Sequence, residues 1–116
     1  MNVNKEIIEL LGTATALPVA QDEYEGTSSS YLIFIYEDET PDNYADNKAN
    51  CDTVYLQIQL ITPKNYNYMN LKHIIRNALE NNDWIVTSIQ SFLGDAIQGT
   101  EKIRQTIFKT NLTRSR

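Results

Sequence analysis

Hydrophobic positions fall along this chain in a few short groups, and their spacing predicts six elements. Ile7, Ile8, Leu10 and Leu11 give an apolar side to a segment that Asn4 can cap and Gly12 can stop, so a first helix is expected to about Leu11. A helix this short is marginal alone and must dock on something. Tyr31 to Tyr36 is apolar at every position, which predicts a strand in a central or doubly covered place. Val54, Leu56, Ile58 and Leu60 then alternate with Tyr55, Gln57 and Gln59, the mark of a strand with one buried and one wet face, and Pro63 ends it. Leu71, Ile74, Ile75, Ala78 and Leu79 follow at i, i+3, i+4, i+7 and i+8, the stripe of a helix lying on a sheet, which Asn81, Asn82 and Asp83 close. Trp84 to about Leu93 reads as a third strand, with Ile85, Ile89 and Leu93 on one side. After a turn at Gly94 to Thr100, Lys102 to Leu112 reads as a fourth. Its alternation is weak, with Ile103 and Ile107 on one face and Phe108 and Leu112 on the other, as a bulge or an edge position would produce.

The segments between are polar. Residues 12–30, punctuated by Pro18 and Gly26, and residues 37–50, with Pro41 and three asparagines, read as loops, and residues 113–116 as a frayed tail. The expected fold is therefore α+β, a single domain over residues 1–116 in the order α-β-β-α-β-β. Its four-stranded antiparallel sheet has both helices packed against it. A chain of 116 residues buries roughly 65% of its unfolded surface, enough for one core without staples.

Charge changes this picture more by its placement than by its sum of −5. Residues 22–52 hold nine acids against Lys48, a local −8, whereas residues 101–116 hold five bases against Glu101, a local +4. An acidic total argues against direct nucleic-acid binding, which rests on cations meeting phosphates. A dipolar chain instead suits head-to-tail contact with copies of itself. The motivated contact is an arm carrying Glu37, Asp38, Glu39, Asp42 and Asp46 on one subunit against Arg104 and Lys109 on the next.

Candidate chemistry is sparse. His73, the only histidine, lies about 200° around the helix from Leu71, beside Lys72 and Arg76, and reads as a solvated residue. Cys51 has no cysteine to pair with inside the chain and no companion at metal-ligand spacing. The acids of 37–46 invite a calcium reading, but they lack the spacing and the glycine of an EF-hand loop. The four glycines form no phosphate-cradling cluster. No catalytic residue, cofactor or metal is expected. The longest apolar run, Tyr31 to Tyr36, is too short to span a bilayer, and the first residues lack a signal peptide's apolar stretch. Tyr24, Tyr44, Tyr66 and Tyr68 fall in polar segments or at a helix start, where tyrosine often marks an interface.

Several stretches carry a family resemblance. A short helix leads to Leu17-Pro18-Val19, then to Glu25-Gly26-Thr27 and Tyr31-Leu32-Ile33-Phe34. After these come the acidic DETPD stretch at 38–42, VYLQIQLI at 54–61, an amphipathic helix and a final strand pair. In this order the chain resembles the tail-terminator, or tail-completion, proteins of long-tailed bacteriophages, a fold also met among minor tail and head–tail joining components. The resemblance implies a structural protein and not an enzyme. It would be made in the host bacterial cytoplasm and carried in the virion tail. It would cap the tail tube as a ring of six copies, touching itself, the tail tube protein and the head-connector proteins. Function in that family lies in ring contacts, so no site residue carries over. The alternative, from charge alone, is a small acidic regulatory or inhibitor protein that binds a basic partner through its 37–50 hairpin loop.

Overall fold

The computed structural model describes residues 1–45, 48–95 and 102–115. The elements are α1 (Asn4–Thr15), β1 (Val19–Gln21), β2 (Tyr31–Ala45), β3 (Lys48–Pro63), α2 (Tyr68–Glu80), β4 (Ile85–Asp95) and β5 (Lys102–Ser115). The result is α+β, but the sheet has five strands, in the order β1-β2-β3-β5-β4. β1 joins its edge parallel to β2, and every other neighbour is antiparallel. The expected four-stranded antiparallel sheet is corrected on both counts. Three residues, Val19 to Gln21, are too few to show a period, so β1 hid inside the segment read as a loop.

α1 outruns Gly12 and ends at Ala16, whose left-handed backbone (φ 58°) turns its N–H onto the Gly12 carbonyl at 2.9 Å. Asn4 is its first residue and not its cap. Val3 holds the cap position without a side-chain bond, and Asn4 instead ties the helix to the sheet. Its Nδ2 donates to Gln21 Oε1 at 2.9 Å, and its Oδ1 accepts from the Tyr36 hydroxyl. α2 begins at its cap Asn67, whose Oδ1 accepts from the Asn70 N–H. His73 is exposed on it.

Both helices lie on one face of the sheet. Val3, Ile7 and Leu11 of α1 and Leu71, Ile75 and Leu79 of α2 share one core with Leu32, Phe34, Val54, Leu56, Ile58, Leu60, Phe108, Leu112 and Trp84. β5 is an interior strand and alternates regularly, with Thr106, Phe108, Thr110 and Leu112 buried in turn. The expectation of a bulge or an edge position there fails. The two threonines disguised the period, because each meets its polar need locally: Thr110 Oγ1 donates to the Leu56 carbonyl, and Thr106 pairs with Ser91 Oγ. The bulge lies instead in β4, between Val86 and Ser88, and it shifts the phase of that strand. Val86 and Ile89 therefore pack on the core while Ile85 is 58% exposed, which overturns the grouping of Ile85 with Ile89 and Leu93. The chain end is not frayed through Ser115, since β5 stays in register with β3 to the Cys51–Ser115 pair. Arg116 and most of the turn expected at Gly94 to Thr100 lie outside the described residues.

The largest correction concerns the acidic segment. Residues read as a loop are strand on both sides: β2 runs to Ala45 and β3 starts at Lys48, paired up to Ala45–Lys48. β5 stops at Cys51, so the ribbon beyond it has β2 and β3 alone. The sequence of this stretch, with Pro41 and three asparagines, carries no apolar alternation that would mark a strand. Sixteen residues at about 3.4 Å each make β3 about 54 Å long, close to the longest extent of the molecule, 57 Å. The radius of gyration, 15.5 Å, accordingly exceeds the roughly 13.4 Å of a compact chain this size.

Candidate assembly surfaces

Three surfaces follow from this build. The first is the sheet face that carries no helix. The strand registers place Ile33 and Ile35 of β2 beside Gln59 and Gln57 of β3, and Gln57, Gln59 and Ile61 beside Lys109, Ile107 and Gln105 of β5. Of the two places expected for Tyr31 to Tyr36, an interior one holds, since β2 lies between β1 and β3, and a doubly covered one does not. Leu32 and Phe34 are fully buried, whereas Tyr31, Ile33 and Ile35 are half-buried. A chain of glutamine contacts crosses the middle of the face, with Gln105 Nε2 donating to Gln59 Oε1 at 2.8 Å and Gln59 to Gln57. Around it stand Ile33, Ile35, Ile103 and Ile107, half-buried, with Tyr55 and Phe92 exposed. Tyr24 stacks on Tyr31 at 4.4 Å and covers one corner, where Ile61 is buried. The signal for this face was in the sequence, in the wet positions Tyr55, Gln57 and Gln59. Its apolar half, Ile33 and Ile35, has the hydropathy of a covered strand face.

The second surface is the acidic ribbon. Asp38 stands opposite Tyr55, and Asp42 stands opposite Cys51 in backbone register. Glu39 meets the Met1 amino group. Asp46 lies outside the described residues. Glu37, displaced by the register shift between Tyr36 and Asp38, accepts from Lys109 Nζ at 2.7 Å within the same chain. Arg104 lies far from the ribbon. It is in register with Thr62, eleven residues of β3 from Cys51 or about 37 Å. Its guanidinium sits over the Tyr68 ring at 4.2 Å, and its buried Nε has no hydrogen-bond acceptor among the described residues. The residues grouped by charge are thus separated by place: Glu37 and Lys109 neutralise each other, whereas Arg104 is at the end opposite the acids.

The third is an open cleft of about 630 Å³ between α1 and the turn from α2 to β4, lined by Glu6, Glu9, Leu10, Asp83, Trp84 and Arg114 among others. Asp83 takes a left-handed backbone (φ 71°), which lets the Trp84 N–H reach the Leu79 carbonyl at 3.0 Å and seats Trp84 in the core. Across the cleft Arg114 grips Glu6 with both terminal nitrogens, at 2.6 and 2.5 Å, and so fastens α1 to the end of β5. That hydrogen bond, helped by the guanidinium charge, holds the Glu6 carboxyl below the usual glutamate range and raises Arg114. A depressed carboxyl stabilises the fold above its unfolded pKa and loses that contribution as pH falls through the folded one. Both side chains are nearly half exposed, so the contribution is under about 1 kcal/mol. Arg114→Ala should return the Glu6 carboxyl toward the ordinary glutamate pKa, read by NMR titration. An unchanged titration would mean that the pair does not form in solution.

Cys51 is a free, half-buried thiol. Among the described residues no group of three or more His, Cys, Asp and Glu side chains could hold a metal ion, and no helix is long and apolar enough to cross a membrane.

No family model matches the chain, and no curated protein does. Its fold does recur among solved structures. One of them, 15% identical and bearing a name that states no activity, aligns over 97% of this chain and 91% of its own length with a TM-score of 0.54. At that identity the likeness shows the fold alone.

Proposed function

We propose that this chain is a structural assembly protein of a long-tailed bacteriophage, one that caps the tail tube and helps join tail to head as a ring of its own copies. The observation that carries the assembly part is the helix-free sheet face. A soluble monomer seldom leaves a broad, partly apolar sheet face without a layer over it, and such a face marks a contact. The motifs from Leu17 through Ile61 supply the tail part, by resemblance. The role asked of the chain is contact and not catalysis. Its partners would be itself, the tail tube protein and the head-connector proteins, and its place the virion tail. A ring also needs two different patches that meet head to tail. The acidic stretch of β2 towards one end of the sheet and Arg104, stacked on Tyr68, towards the other suit that requirement, whereas Lys109 is already held by Glu37.

The test is disruption of the gene in its parent genome, with the particles imaged by electron microscopy. Overlong tails, or tails and filled heads left unjoined, are expected. Normal joined particles would overturn the reading. The ribbon also favours a second reading, a small acidic inhibitor. Asp38 and Glu39, exposed on β2 where it approaches the end of β5, can face a basic partner. A stable monomer that captures a basic host enzyme would put that reading first.

A further inference from the structure

We propose that β4 is a docking edge for a second copy of this chain, the two β4 strands pairing antiparallel across a two-fold axis. The proposal goes beyond the tail reading and does not depend on it.

Among the described residues the sheet ends at β4, whose outer edge pairs with no strand. From Trp84 to Gly94 this strand and its lead-in carry no charge and no proline. Its second half is exposed on both faces, with Phe92 at 45% and Leu93 at 44%. A long, uncharged, apolar edge is a template for pairing with another chain, and proteins that must avoid it blunt the edge with charges, prolines, bulges or short strands. The opposite edge of this same sheet uses all four devices. β1 is three residues long, and beyond it β2 carries a register irregularity at Glu37, the acids Glu37, Asp38, Glu39 and Asp42, and Pro41. β4 carries only the bulge between Val86 and Ser88 near its start and the charge of Asp95 at its last residue, which leaves Ser88 to Gly94 unguarded.

The occupant follows from this asymmetry. A copy's β2 edge is guarded against addition, and a copy's β4 edge is open. Pairing β4 with itself brings no like charges together. Centred on Gln90, antiparallel pairing sets Gln90 opposite its own copy, Ser88 opposite Phe92 and Ile89 opposite Ser91. These pairs agree in face. Ser88, Gln90 and Phe92 are in register with Lys109, Ile107 and Gln105 on the helix-free side, while Ile89 and Ser91 are in register with Phe108 and Thr106 on the helix side. A two-fold axis through the sheet keeps each face on its own side, so the product is one ten-stranded sheet with a single helix-free surface.

The test uses the full chain. Sedimentation equilibrium of the wild type should give twice the monomer mass, falling to the monomer mass in the Phe92→Lys, Leu93→Lys double variant. Both side chains are nearly half exposed in the single chain, so the variant should keep the wild-type circular dichroism spectrum. In a Cys51→Ser background, Gln90→Cys should form a disulfide-linked dimer on a non-reducing gel. Three results would each overturn the proposal. One is a wild type monomeric at every concentration, another a dimer indifferent to the two lysines. The third is a Gln90→Cys chain that links to a Thr40→Cys chain in preference to itself, which would show head-to-tail addition to β2. None of these bears on the particle morphology that tests the tail reading.

Discussion

Phe108→Ala should cost about 3–5 kcal/mol, the usual range for removing a buried aromatic ring. Phe108 is fully buried on the interior strand β5, opposite Ile58 of β3 and Ile89 of β4. The cavity would open where β5, β3 and β4 meet, at a site that strands on either side prevent from collapsing. Against a total stability of about 5–15 kcal/mol this is a large share. At roughly 4 °C per kcal/mol the melting temperature should fall by about 12–20 °C, measured by calorimetry. Phe92→Ala is the control. Phe92 lies on the same sheet but is 45% exposed, and its loss should cost the isolated chain less than about 1 kcal/mol. Equal costs for the two phenylalanines would contradict the placement of the core.

A second pair of substitutions should leave the fold in place and remove its use. Ile33→Lys with Ile107→Lys puts two charges into the helix-free face, at positions that are half-buried in the single chain. Each costs the isolated protein little, because a lysine stem can lie along the sheet with its ammonium in water. In an assembly that covers this face the same two charges would be buried without partners, which costs several kcal/mol. Expression of this variant in the disrupted genome should therefore fail to restore joined particles, and the yield should stay at the level of the disruption itself. A folded variant that restores wild-type yield would exclude this face from the contact.

Legibility of the fold followed one physical condition. An element shows its period when one side is buried and the other wet. α2 and the middle of β3 meet that condition and were readable from spacing alone. β1 is too short to have a period, and the sequence of the ribbon beyond Cys51 has no apolar alternation. In β4 the bulge after Val86 moved the apolar residues to opposite faces, and in β5 Thr106 and Thr110 filled buried places with polar residues that find their own partners. The candidate surfaces divide in the same way. The acidic run was plain in composition, but its being a strand was not. Ile33 and Ile35 were read as core because hydropathy reports a preference for burial, whichever chain supplies the cover. Glu6 and Arg114, 108 residues apart, carried no signal at all before the sheet brought them together.

The place of β5 in the strand order bears on how the molecule comes into being. The β2–β3 and β4–β5 hairpins are local and can each close within microseconds. The seam that joins them pairs Val54 with Leu112 and Ile61 with Gln105, so it must wait for a long loop to close. During synthesis β5 is made after every strand it separates. Until it arrives β3 has a bare apolar edge, and β4 has no neighbour on either side. Nascent chains are thus sticky for as long as the ribosome needs to reach Ser115, a matter of seconds at about 5–20 residues per second. The acids between Glu37 and Asp52 are made early in that interval and flank the most apolar strand while it waits. They therefore serve the chain before any partner is met, by keeping half-made copies apart.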